Sequence, residues 1–205
     1  MTTVTERRED ATGVLGLAAA YRHALLNHLQ VLSGWLHLGQ PQRAAEHLDM
    51  LIDLTLGETR LVRAAHPHAA AVLLLRRGFA EGHGIEVRFE AGEDLRGFAW
   101  PPEVPDELVA ATIDAVVAVL GGRVRGQEVE VAISEADGRQ SLAVSVEGAV
   151  LPCALVAEEA DRLLQDRRAG MRFQEALARF EACGGRWACY QDGPRSVVEI
   201  SWPRP

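Results

Sequence analysis

Residues Tyr21–Gly39 read YRHALLNHLQVLSGWLHLG, and this stretch decides the fold. Leu25, Leu29, Leu32 and Leu36 recur at the alternating four- and three-residue spacing of an apolar seam on an α-helix. Each residue turns the helix by ~100°, so His23 lies roughly opposite that seam. Gly16, Asn27, Gln30, Gly34 and His37 fall within ~40° of His23. One face therefore carries leucines for packing. The other carries an imidazole among amides and glycine, open to a docking partner. A neutral imidazole is a competent nucleophile toward phosphorus, because its unperturbed pKa lies near neutrality.

Outward from this stretch, the helical pattern begins near Gly13, and residues 1–11 read as a flexible arm. Gly39 stops the helix and Pro41 starts the next, the usual glycine-after and proline-first signals. The second helix spans about Gln42–Arg63, with Ala45, Leu48, Ile52, Thr55 and Val62 along one side. So short a link makes an antiparallel hairpin over 12–66. Two helices cannot bury both seams alone; a homodimer forming a four-helix bundle would. Glu46, Asp49 and Asp53 read as a solvated face.

His66-Pro67-His68 breaks the rhythm, and the domain boundary is placed there, with a second domain over 67–205. Its elements are mixed: a helix over Ala69–Ala80, a strand over Ile85–Glu90 and a helix over Pro105–Leu120. Two strands, Glu128–Ser134 and Gln140–Glu147, flank the turn Ala136-Asp137-Gly138-Arg139. Helices follow over Ala154–Gln165 and Gly170–Cys183, then a hairpin of Arg186–Gln191 and Ser196–Trp202 around Asp192-Gly193-Pro194. The fold class is α+β: a helical hairpin followed by helices on one face of a largely antiparallel sheet.

Composition bounds the function. Of 205 residues, 48% are hydrophobic and 24% charged, an ordinary globular balance. The net charge of −8 argues against nucleic acid and anionic membranes as partners. No apolar run reaches the ~18 residues of a membrane span, and no signal-peptide core is present, so a cytoplasmic location is expected. Cys153, Cys183 and Cys189 form no C-x-x-C pair and read as unpaired thiols. No metal site is expected: His66 and His68 read as a structural loop, His28 as a packed residue beside the seam, and Trp35 and Trp100 as packing residues.

The run H-x3-N-x-L-x2-L-x-G-x-L-x-L-G, His23 to Gly39, resembles the dimerisation and phosphotransfer helix of the sporulation initiation phosphotransferase B family. Citrate- and fumarate-sensing histidine kinases carry a similar helix. The resemblance implies that His23 is the phosphoryl carrier, Asn27 the amide one turn on, and Leu29 and Leu32 core positions. Arg22, directly before the histidine, is typical of the phosphotransferase. Those families usually place an acidic residue directly after the histidine; here Ala24 stands, which disfavours autophosphorylation from ATP more than transfer from an already activated acyl phosphate. Arg22, Asn27, Gln30, Gly34 and His37 are the expected partner-binding residues around catalytic His23.

The element order after His68 resembles the ATP-binding domain of histidine kinases. Such a domain needs amide or carboxylate oxygens for Mg²⁺ and glycines that let backbone approach phosphates. Asp114 stands where an asparagine is expected, with Ala110 one turn earlier. Glu147-Gly148-Ala149-Val150 and Ala169-Gly170-Met171-Arg172-Phe173 each lack a glycine of the adenine and phosphate loops. A kinase-like scaffold with degraded nucleotide motifs is similar to the sporulation phosphotransferase. The resemblance implies a phosphorelay enzyme that passes a phosphoryl group between response-regulator aspartates through His23. No cofactor would be tightly bound, and Mg²⁺ would come with the regulators. The alternatives are an ATP-dependent sensor histidine kinase with a divergent nucleotide site, or a non-catalytic regulator-binding module.

Overall fold

The computed structural model describes residues 4–102, 104, 106–121, 127–166 and 172–204. Two helices open the chain, α1 (Val4–His37) and α2 (Pro41–Ala64). They are joined by a link whose geometry follows from Gly39. That residue has φ +68°, open to glycine and costly for others. Its N–H donates to the Leu36 carbonyl at 3.1 Å, and the Gln40 N–H donates to the Trp35 carbonyl at 2.9 Å. This is a Schellman stop, which satisfies carbonyls that the ending helix would leave bare. Pro41 then opens α2, where its missing N–H costs nothing. At the same end the Arg43 guanidinium lies 4.9 Å from the Trp35 ring centroid, a cation–π contact between the helices.

α1 starts at Val4, so the arm expected over 1–11 is helical from Val4 onward. The reason is compositional: Glu, Arg and Ala in this stretch favour a helix, and neither glycine nor proline interrupts it before Gly13.

The chain divides into two compact units between Thr55 and Leu56, within α2. The break at His66-Pro67-His68 is present as the junction of α2 and α3 (Pro67–Gly82). The last turns of α2 pack into the second unit. A Cβ on Gly57 would meet the Phe89 carbonyl oxygen at 2.5 Å, so only glycine admits that strand so close. Leu61 is buried, and Glu58 pairs with Arg77 of α3.

The second unit continues with β1 (Glu86–Ala91), α4 (Asp106–Gly121), β2 (Glu128–Ala136), β3 (Arg139–Glu147), α5 (Cys153–Asp166), α6 (Phe173–Ala182), β4 (Arg186–Asp192) and β5 (Arg195–Pro203). The five strands lie in the order β1-β2-β3-β5-β4. β1 runs parallel to β2, and the other neighbours are antiparallel. Asp137 and Gly138 have φ of 52° and 71°, the pair of positive values that a tight two-residue turn between β2 and β3 requires. Alternate residues Val87, Phe89, Val131, Ile133, Leu142, Val144, Val198, Ile200 and Trp202 enter the core. α4 lies deep in it, buried continuously from Leu108 to Val117. Trp202 is fully buried, and its Nε1–H donates to the Ala99 carbonyl at 3.1 Å. The α+β reading holds: a helical hairpin, then helices layered on a mixed, mainly antiparallel sheet.

The cysteine reading is corrected. Cys153, at the start of α5, is disulfide-bonded to Cys189 on β4, and Cys183 is free. The partners are 36 residues apart in sequence but 5.7 Å apart between Cα atoms, a proximity that only the packing of α5 beside β4 creates. Among the described residues no helix is long and apolar enough to cross a membrane.

Candidate functional site

His23 sits on α1 and is exposed, as are Arg22, Asn27, Gln30, Gly34 and His37. One helix supplies all six, and helical periodicity alone brings His23, Asn27, Gln30, Gly34 and His37 together on one side, while Arg22 stands ~100° around the helix from His23. Among the described residues nothing hydrogen-bonds the His23 imidazole, which leaves its nitrogens to solvent and to a docking partner. A Cβ on Gly34 would meet nothing within 4 Å, so the surface there is open. His37 is held: its Nδ1–H donates to the Ser33 carbonyl at 2.7 Å. A carbonyl only accepts, so a proton sits on Nδ1.

The leucine seam is also bare. Leu25, Leu29 and Leu36 on α1 keep 56%, 50% and 60% of their surface, and Leu48 and Ile52 on α2 keep 48% each. Scattered exposed leucines need no explanation, but a contiguous seam on two adjacent helices marks an interaction face. His28 is half-buried, as expected for a residue beside the seam, and its ring meets His47 of α2. No local pattern signals that pairing, because nineteen positions separate the two residues.

In the second unit, the positions compared above with nucleotide motifs have other partners. Asp114 is fully buried, and its Oδ2 accepts from Arg76 Nη1 of α3 at 2.8 Å. Ala110, one turn earlier and buried, has no ligand to offer. A carboxylate already compensated by a guanidinium, beside an alanine, does not fit a metal-bound triphosphate. After β3, Gly148 (φ +73°) donates to the Pro194 carbonyl at 3.1 Å. The Ser196 hydroxyl donates to the Ala149 carbonyl at 2.7 Å and accepts from the Leu151 N–H at 3.0 Å. Backbone that would face an adenine is thus tied to the β4–β5 hairpin. Ala169, Gly170 and Met171 of the second loop lie outside the described residues. Arg172 precedes α6, and the Phe173 N–H donates to Asp161 at 2.8 Å.

His66 and His68, read as a structural loop, make specific bonds: the His66 N–H donates to the Phe98 carbonyl at 2.8 Å and the His68 N–H to His66 Nδ1 at 3.4 Å. His68 Nε2 lies 2.7 Å from Asp106 Oδ2, while Trp100 Nε1–H donates to Asp106 Oδ1 at 2.8 Å. This ties the start of α3 to the start of α4. Trp100 is a packing residue, mostly buried, with its polar tip satisfied. Among the described residues no group of three or more His, Cys, Asp or Glu side chains is placed to hold a metal ion.

Residues 5–64 match the family described as the α-helical domain of SpoOB-type sensor kinases. This segment belongs to that family. The match covers α1 and α2, the hairpin that carries His23. A comparison with curated proteins gave no match. Solved structures similar to the chain include full-length ShkA in complex with AMPPNP, 19% identical, covering 81% of this chain and 37% of that one, with a TM-score of 0.47. The chain thus spans little more than a third of ShkA. The Acinetobacter baumannii histidine kinase AdeS is 11% identical, covering 88% and 97%, with a TM-score of 0.44. The histidine kinase ThkA in complex with the response regulator TrrA is 15% identical, covering 98% and 65%, with a TM-score of 0.46. At these values the likeness carries no statement about activity.

Proposed function

We propose that this protein is a phosphorelay phosphotransferase and that His23 is its phosphoryl carrier. The observation that carries the reading is His23 itself: exposed on α1, among exposed polar residues, within the segment that matches the SpoOB-type helical domain. A response regulator phosphorylated on aspartate docks on the α1 face, with Arg22, Asn27, Gln30, Gly34 and His37 as contacts. The free lone pair of the His23 imidazole attacks phosphorus in line. An N–P bond forms, the aspartyl O–P bond breaks, and the carboxylate leaves with its electron pair. The ring's remaining N–H proton is lost to solvent. A second regulator's aspartate reverses the step. The protein supplies a nucleophile and a position, which is most of what phosphoryl transfer requires. Mg²⁺ would be held by the regulators' acidic pockets, and the work would be cytoplasmic.

The bare leucine seam supports a homodimeric four-helix bundle, which would bury Leu25, Leu29, Leu36, Leu48 and Ile52. The Arg76–Asp114 pair and Ala110 support a second unit that acts as scaffold and does not deliver ATP. The test is phosphorylation read by intact mass. Wild type and His23→Ala are incubated with Mg²⁺-ATP, and separately with several regulators phosphorylated on aspartate. The expected result is an acid-labile phosphoryl group from a regulator only, and only with His23 present. Labelling from ATP alone would establish a kinase instead, and labelling of His23→Ala would remove His23 from the mechanism.

A further inference from the structure

The hairpin sets two imidazoles against each other. His28 Nδ1 on α1 lies 3.2 Å from His47 Nε2 on α2. The ring centroids are 5.3 Å apart and the planes are inclined by 46°. Both residues are half-buried, so the pair is shielded on one side and reachable by water on the other. In the metal-free hairpin the spacing is that of an N–H···N hydrogen bond. It is also a chelating bite. A tetrahedral Zn²⁺ with bonds of ~2.0–2.1 Å holds two nitrogens about 3.3 Å apart, and two neighbouring positions of an octahedral dication stand about 3.0 Å apart. The observed 3.2 Å falls between these values.

We propose that His28 and His47 form a two-histidine site for a transition-metal dication of the Zn²⁺, Ni²⁺ and Cu²⁺ class. Imidazole suits these ions, whereas Mg²⁺ and Ca²⁺ prefer oxygen. Binding needs no net proton loss from two neutral rings. The ring that donates the N–H shifts its proton to its other nitrogen, and both facing nitrogens then present lone pairs. The metal–nitrogen bonds replace the hydrogen bond, and water completes the coordination sphere. The bite is preorganised. The helices are fixed at one end by the Gly39 stop and by Arg43 stacked on Trp35, so little freedom is lost on binding. With two protein ligands the ion exchanges readily and a chelator strips it.

The consequence is mechanical. The ion ties α1 to α2 across the hairpin and stabilises the folded form by mass action. His28 is displaced ~140° around α1 from His23, so the face that carries His23 stays open while the metal is bound.

The test titrates Zn²⁺, Ni²⁺ and, as the oxygen-preferring control, Mg²⁺ into the full chain without a histidine tag. Calorimetry reads affinity, and circular dichroism reads the thermal midpoint. The rival ligands are His66 and His68, so three variants are compared: His28→Gln, His47→Gln and the double variant His66→Gln/His68→Gln. The expected result is one ion per chain for Zn²⁺ and Ni²⁺ and none for Mg²⁺. The midpoint should rise and reverse with EDTA. Affinity should fall at least about tenfold in each of the first two variants and hold in the third. Histidine-selective NMR of the wild type gives an answer without mutation: Ni²⁺ should broaden the His28 and His47 ring signals first. Retained binding in both His28→Gln and His47→Gln overturns the proposal. So does loss of binding in the His66/His68 variant alone, or the absence of Zn²⁺ binding at millimolar metal.

Discussion

Replacing Arg76 by alanine asks how much the second unit depends on its internal ion pair. Asp114 has no exposed surface, and its carboxylate faces the Arg76 guanidinium, whose side chain keeps 15% of its surface. Removing the arginine leaves a carboxylate in the core with its principal counter-charge gone. Breaking a buried pair from one side costs about 3–5 kcal/mol. Removing the other charge is milder. In Asp114→Asn the amide oxygen still accepts from Arg76, whose partly exposed head can turn to water, and the expected cost is about 1–2 kcal/mol. The double variant Arg76→Ala/Asp114→Asn removes both charges and should be more stable than Arg76→Ala by about 1–3 kcal/mol. Urea unfolding followed by tryptophan fluorescence reads this unit, because three of the four tryptophans, Trp100, Trp187 and Trp202, lie within it. With a slope of about 2 kcal/mol per molar, Arg76→Ala should lower the midpoint by about 1.5–2.5 M. A fall below about 0.5 M, or a double variant less stable than Arg76→Ala, would refute the view that Arg76 serves to neutralise Asp114.

Three further outcomes are expected. If the hairpin dimerises through the leucine seam as proposed, wild type sediments as a dimer and Leu29→Glu as a monomer, because a charge in a shared seam forfeits the ~1.5–3 kcal/mol of burying each leucine and adds a desolvation cost; a monomeric wild type, or a variant of unchanged mass, would refute that interface. Gly57→Ala should destabilise the second unit by about 1–3 kcal/mol, since its Cβ would lie 2.5 Å from the Phe89 carbonyl and α2 or β1 must shift; a neutral effect in the same urea assay would contradict that close approach. A dithiol reductant should lower the urea midpoint by the equivalent of about 3–4 kcal/mol, the chain-entropy value for a loop of 36 residues, and Cys153→Ser should reproduce the shift while becoming insensitive to reductant.

Helical periodicity and chain punctuation determined most of what the sequence revealed. The 4-3-4 leucine spacing, Gly39 and Pro41 fixed α1, its stop and the start of α2, because each signal acts within a few residues. The same periodicity put His23, Asn27, Gln30, Gly34 and His37 on one side of α1, since a single helix needs no tertiary contact to define its faces. Asp137-Gly138 marked its turn for the same local reason: few residue pairs tolerate positive φ. The start of α1 was less legible, because a run of good helix formers carries no stop signal and the expected arm over 1–11 is helical from Val4.

What only the tertiary structure decided are the pairings between residues far apart in the chain. Cys153 meets Cys189 across 36 residues, Arg76 meets Asp114 across 38, and His28 meets His47 across 19. Each pairing depends on the crossing of two elements, and crossing geometry is set by summed packing that no local pattern encodes. The resemblance to kinase ATP-binding domains put Asp114 where an amide is expected. Only the fold showed that a guanidinium from α3 answers it, and that the chain supplies the counter-charge itself.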